Sequence, residues 1–187
     1  MSAGAGSPLR GFHPGAGSDA AGGPIDFTRS GVVWLEGEAV LIEPTGTGKP
    51  LARLRDGRLV VGGGGRAQVL AAIDRWYRRE ARQRIEPLVE VEGQRLGLEA
   101  GKVRIGNQRT RWGSCSTSGT VSFNWRLVLG RPEALHYVVV HELMHLRHHN
   151  HSRDFWNDLA AAFPGIREEA RWLRVNERQL LQWKPRI

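Results

Sequence analysis

The sequence predicts an α+β fold, on three observations. Short apolar runs broken by turn residues fill positions 32–61, a long helical periodicity follows from Arg66, and a second helical stretch carries a run of histidines after Pro132. Val32-Val33-Trp34-Leu35, Ala39 to Ile42, Leu51 to Leu54 and Leu59-Val60-Val61 read as strands of a small antiparallel sheet. Thr45-Gly46-Thr47-Gly48 and Asp56-Gly57 mark its turns. Gly46-x-Gly48-Lys49 has the look of a phosphate loop, but the full spacing and the following Ser or Thr are absent, so it reads as a hairpin turn.

Gly62–Gly65 breaks the chain before the next element. Val69, Leu70, Ile73, Trp76, Tyr77, Ile85 and Leu88 then recur at helical spacing, which predicts an amphipathic helix from about Arg66 to Gln94, kinked or restarted at Pro87. Trp76 and Tyr77 are expected in the core, and the charges around Arg78–Arg84 on a solvated face. Val103 and Ile105, then Val121, Phe123, Trp125 and Leu127, alternate with polar neighbours, and the intervening Thr117-Ser118-Gly119 suggests a β-hairpin. Pro132 suits the first turn of a helix, with Glu133 near its positive end. Phe155, Trp156, Leu159, Ala162 and Phe163 define a further helix stopped by Pro164-Gly165. A last one runs from about Arg167 to Leu181, with Trp172, Leu173, Leu180 and Leu181 inward, and residues 183–187 trail off.

Residues 141–151 carry the chemistry: His141-Glu142-Leu143-Met144-His145-Leu146-Arg147-His148-His149-Asn150-His151. Four residues of helix turn about 400°, so His141 and His145 project from one face. Two neutral imidazoles so placed can share a divalent cation, usually zinc. Glu142 can then act as base toward a metal-bound water without entering the coordination shell. A bare HExxH also arises by chance on amphipathic helices. Here it follows Tyr137-Val138-Val139-Val140, an apolar lead-in that buries the helix and makes unpartnered charge costly.

Three histidines could supply a third ligand. On a continuing helix His148 would rise about 10.5 Å from His141, too far for one ion with bonds of about 2.0–2.1 Å. The chain must turn back after His145. Asn150 suits a left-handed helix end and Ser152 a new N-cap, which places His151 at the corner as the expected third ligand. His148 and His149 are the alternatives, and otherwise exposed or supporting residues.

Composition bounds the function classes. The length suits one domain, with room for a small appended subdomain, and 40% hydrophobic residues with seven tryptophans can build a core. The single cysteine, Cys115, excludes an internal disulfide framework and suits a reducing, cytoplasmic setting; it is expected as a small buried hydrophobe, with a fourth-ligand or inhibitory thiol as the rarer role. Residues 1–30, rich in Gly, Ala, Ser and Pro, are expected as a disordered tail and lack the apolar core of a secretion signal. No apolar run is long enough to cross a bilayer, so no membrane partner is expected. The net charge of +8 raises nucleic acid as a partner, possible but not required. Only Lys49, Lys102 and Lys184 are lysine, and the arginines are dispersed rather than held in one block.

Four stretches together resemble the YgjP-like family of metal-dependent hydrolases, also described as a YgjP-like metallopeptidase domain and distantly similar to SprT-like and WLM zinc proteases. They are Arg111-Trp112-Gly113-Ser114-Cys115-Ser116, Phe123-Asn124-Trp125-Arg126-Leu127, Tyr137 to Leu143, and Asn150-His151-Ser152-x-x-Phe155-Trp156. The match runs from about Trp34 to Trp172, with a shortened front end. The resemblance implies a zincin-like core, an HExxH helix beside a small antiparallel sheet, with zinc on His141, His145 and His151 and Glu142 as catalytic base. It also places Arg111–Leu127 beside the zinc helix, where an edge strand can pair with an extended peptide.

The expected organisation is a tail over 1–30, a small β subdomain over 31–65, a catalytic domain over 66–182 and a C-terminal tail over 183–187. The leading expectation is a peptidase. The alternative is a nucleoside triphosphate pyrophosphatase of the UTP type, with Arg109, Arg111 or Arg126 holding phosphates, and a third is a nucleic-acid-associated protein. Arg111, Asn124 and Arg126 are the candidate substrate-binding residues.

Overall fold

Turn chemistry sets the first sheet. The computed structural model describes residues 31–187; the tail expected over 1–30 lies outside the described residues. Strand β1 (Val32–Leu35) turns at Glu36-Gly37, both at positive φ, into β2 (Glu38–Pro44). Asp56-Gly57, at φ 46° and 75°, closes a second hairpin between β3 (Ala52–Arg55) and β4 (Arg58–Val61).

The sheet order is β1-β2-β4-β3, so the sheet is mixed rather than antiparallel: β4 lies parallel to β2. Residues 45–51 are therefore a crossing loop and not the expected hairpin turn. The loop folds back on β4 through Thr45 N to Val61 O, Gly62 N to Leu51 O and Gly63 N to Thr47 O. Those bonds carry the chain past the neighbouring position, so β3 starts at the outer edge.

Helix α1 (Arg66–Leu96) is a single helix of 31 residues, uninterrupted at Pro87. Pro87 and Gln83 are both exposed, so the carbonyl that the proline leaves unpaired faces solvent. Gly97 ends the helix in the left-handed conformation, as C-terminal glycines do. The inner face of α1 carries Ile73, Trp76, Tyr77, Ala81 and Ile85, all buried. Tyr77 ties the first sheet to this helix: its hydroxyl accepts from Trp34 N at 3.0 Å and donates to Trp34 O at 2.7 Å. The expected solvated face is less free than its charge suggests, since Arg84 bridges Glu36 and Glu80.

The second sheet has β7 (Thr120–Asn124) in the middle, parallel to β5 (Lys102–Gly106) and antiparallel to β6 (Gly113–Cys115). The turn at residues 116–119 thus joins β6 to β7, and not β5 to β7 as expected. The alternation that suggested a longer strand ends at Asn124, whose Oδ1 accepts from Arg126 N and caps a 3-10 helix over Trp125–Leu129. Capping overrides periodicity there.

Helix α2 (Pro132–Met144) has Pro132 in its first turn and buries nine of its residues, among them Val138, Val139, Val140 and Glu142. Helices α3 (Arg153–Ala162) and α4 (Ile166–Gln182) follow the expected bounds closely. The last residues do not trail away: Trp183 is 5% exposed, packs its ring 5.3 Å from Tyr77, and Arg186 O accepts from Gly31 N. No helix among the described residues is long and apolar enough to cross a membrane.

Candidate metal centre

Helix α2 ends where the histidine motif needs it to end. Met144 is its last residue, and His145 stands at the cap in a right-handed conformation. The chain then reverses through residues 145–152. Ser152 starts α3 by accepting from Phe155 N at 3.3 Å. Asn150 does not take the expected left-handed turn; among described non-glycine residues only Glu36 and Asp56 have positive φ. Its Oδ1 instead accepts from Ser152 N at 3.2 Å, bracing the corner from the side.

This reversal brings His141, His145 and His151 together, with one ring nitrogen of each within 4.8 Å of the others. Nε2 of His141 and Nε2 of His151 lie 3.1 Å apart. Two nitrogens sharing one tetrahedral divalent ion, each bonded at about 2.0–2.1 Å, would stand about 3.3 Å apart, which is close to the His141–His151 separation. His145 Nδ1 pairs with the carbonyl of His148 at 2.9 Å, which leaves Nε2 for a cation. His141 Nδ1 faces the Tyr137 hydroxyl at 3.5 Å. Phe155, fully buried, touches all three rings, with centroid distances of 5.1, 4.7 and 4.8 Å. Burial, together with the neighbouring imidazoles of His145 and His151, pushes His141 down to about 4, so it stands neutral with a lone pair available.

Glu142, next to His141 on α2, is 7% exposed, with no hydrogen bond among the described residues to its carboxylate. Burial pushes its pKa up to about 7, against the opposing charge of Arg111. Gly113 of β6 makes room for it: a Cβ there would fall 2.5 Å from Glu142 Cγ. Only a residue without a side chain lets strand and carboxylate approach this closely.

A cleft of about 570 Å³ opens over these groups, walled on one side by β6 and on another by α4 through Leu173 and Glu177. Arg111 lines it; Arg109 and Arg126 do not. Arg126 lies over the Trp125 ring at 4.4 Å and donates to Asn107. Asn124 also stands apart from the cleft. It is fully buried and donates to Gln108 O at 2.7 Å and Arg111 O at 3.3 Å, so it shapes the loop that carries Arg111 rather than meeting a substrate. Of the three expected substrate-binding residues, Arg111 lines the cleft and Asn124 and Arg126 do not. Cys115, expected in the core, is half-buried on the cleft wall, where burial and Glu142 hold its thiol above the usual range. His148 turns away from the cluster to Asp158, while His149 lines the cleft.

Sequence reading missed Tyr137, Leu173 and Glu177. Tyr137 stands four residues before His141, a spacing that was readable. The α4 residues reach the cleft only through tertiary packing.

No curated protein gives a match to the chain. Among solved structures, the metallopeptidase zymogen of Pyrococcus abyssi abylysin is similar at 26% identity, over 55% of this chain and 99% of that chain, with a TM-score of 0.42. The model of the YgjP-like metallopeptidase domain matches residues 24–176, spanning every element from β1 to the middle of α4, and the chain belongs to that family.

Proposed function

We propose that the protein is a zinc-dependent peptidase that cleaves extended polypeptide, working in the cytoplasm. Family membership makes it a metallopeptidase-like, metal-dependent hydrolase; zinc, the ligand set and the peptide substrate are our reading. The observation that carries it is that Glu142, largely buried and without a hydrogen-bond partner among the described residues, lines one cleft with three convergent histidines and an edge strand. A carboxylate left without a hydrogen-bond partner costs stability, and such groups cluster at functional sites.

His141, His145 and His151 would hold the ion, which when bound would supply Lewis acidity and lower the pKa of water. Glu142 takes a proton from the attacking water and returns it to the leaving amine. Strand β6, outermost in its sheet and lining the cleft along its whole length, offers main-chain groups to an extended substrate. Arg111 favours a second reading, nucleoside triphosphate hydrolysis, because its guanidinium could grip phosphate. The peptide reading is preferred because Arg126 and Arg109 stand outside the cleft and, among the described residues, no glycine-rich cradle faces it. Zinc-loaded protein should be assayed in parallel on unfolded polypeptides and on nucleoside triphosphates. Polypeptide cleavage abolished by Glu142→Gln supports the proposal; Glu142-dependent UTP hydrolysis with no polypeptide cleaved overturns it.

A further inference from the structure

A carboxylate outside the cleft reaches one of the clustered histidines through a single intermediary. The His148 ring places Nε2 2.8 Å from Asp158 Oδ2 on α3. The backbone carbonyl of the same His148 pairs with His145 Nδ1 at 2.9 Å. Helix α3 thus grips the ring of His148, and the peptide group of His148 grips the ring of His145. With Nδ1 donating to a carbonyl, His145 keeps its Nε2 lone pair for a cation.

We propose that Asp158 is a positioning residue of the histidine cluster: by anchoring His148 it holds the carbonyl that aims His145 Nε2 at the ion. The inference rests on the reading of His141, His145 and His151 as metal ligands. A plain surface pair is the rival explanation, and the Asp158 side chain is indeed 42% exposed. Pairs at that exposure add little to stability. Helix α3 does not need this one, since Phe155 and Leu159 fix it with fully buried side chains. Asp158 Oδ2 also accepts from Arg147 Nη1, a longer and exposed contact at 3.5 Å. Neither pair is needed to seat α3, while the loop they restrain carries one ligand and leads to another. Stacking of Phe155 on His145, 4.7 Å between centroids, keeps part of the ring's orientation without Asp158. The expected loss is accordingly at the lower end of the tenfold to hundredfold typical of outer partners of metal ligands.

The test uses the full chain. Zinc affinity is measured by competition with a chromophoric chelator, and the His145 Nδ1–H resonance is followed by NMR in metal-free protein. Asp158→Ala and His148→Ala should each weaken zinc binding about tenfold, with the double variant no weaker than either alone and melting unchanged. Asp158→Asn, whose amide oxygen can still accept from the His148 ring, should restore most of the affinity. The His145 Nδ1–H signal should broaden by exchange in Asp158→Ala and not in Asp158→Asn. Wild-type zinc affinity together with an unaltered Nδ1–H signal in Asp158→Ala overturns the proposal. Failure of the wild-type protein to bind zinc would refute the metal reading instead, and the Nδ1–H signal would then decide whether Asp158 positions His145.

Discussion

Tyr77 and Glu142 are both polar groups buried in helices, and the fold treats them in opposite ways. The Tyr77 hydroxyl, in α1, has a donor and an acceptor in the main chain of Trp34, and aromatic rings of Trp76, Trp125 and Trp183 enclose it. Burial raises its pKa well above the usual range, so it stays neutral as a hydrogen-bonding joint. The Glu142 carboxylate, in α2, has no such partner among the described residues and opens on a cleft. Tyr77 is thereby a structural joint, whereas Glu142 is left open to whatever enters the cleft. The same contrast separates Asn124, bonded through both amide atoms, from the histidine nitrogens that face one another.

The contrast breaks most sharply at the histidines. His141→Ala, His145→Ala and His151→Ala should each abolish the binding of about one zinc per chain, read by metal analysis after dialysis. His149→Ala, which removes a ring from the cleft wall only, should keep it. A His151→Ala protein with full metal content would move the third ligand elsewhere.

Next in size is Glu142→Gln, which should retain zinc and fold yet lose turnover by about 10²–10⁴-fold, because an amide cannot take the proton. Loss of metal in this variant would make Glu142 a ligand rather than a base. Tyr77→Phe tests the opposite pole: it should lower unfolding free energy by about 1–3 kcal/mol through two forfeited hydrogen bonds, leaving turnover per folded molecule unchanged. Denaturant melts with parallel activity assays read both quantities.

The smallest effects belong to the arginines. Arg126→Ala should leave peptide turnover unaltered, and Arg111→Ala should change it only mildly. For a nucleoside triphosphate substrate, Arg111→Ala should instead raise KM about tenfold to a hundredfold, the value of a lost charge-assisted contact of about 1.5–3 kcal/mol. Steady-state kinetics on UTP would show which applies.

Much of this was legible in the sequence because it rests on local rules. The spacing of His141 and His145, the need to turn after His145, the Ser152 cap and the Pro132 start depend on residues a few positions apart, and all recur in the structure. What was not legible depends on distant partners. Alternation marks Val103, Ile105, Val121 and Phe123 as strand residues without saying that β5 and β7 run parallel. Nor does it tell that Asn124 spends its side chain on Gln108 and Arg111 carbonyls and caps the next helix, which takes it and Arg126 away from the cleft. Trp183 looked terminal only because its partners, Tyr77 and Trp125, lie far back in the chain.

Strand β6 is three residues long. At about 3.3 Å per residue it spans about 10 Å, enough to engage a few main-chain groups of a substrate and no more. Each such bond is worth about 1 kcal/mol net, so backbone pairing alone would hold a peptide at around millimolar strength. Main-chain pairing of that kind would be blind to side-chain sequence and too weak by itself to pull a strand out of a stable domain, whose unfolding costs about 5–15 kcal/mol. The enzyme's discrimination would be conformational: chains that have already lost their fold would be open to it, and intact neighbours in the same compartment would be spared.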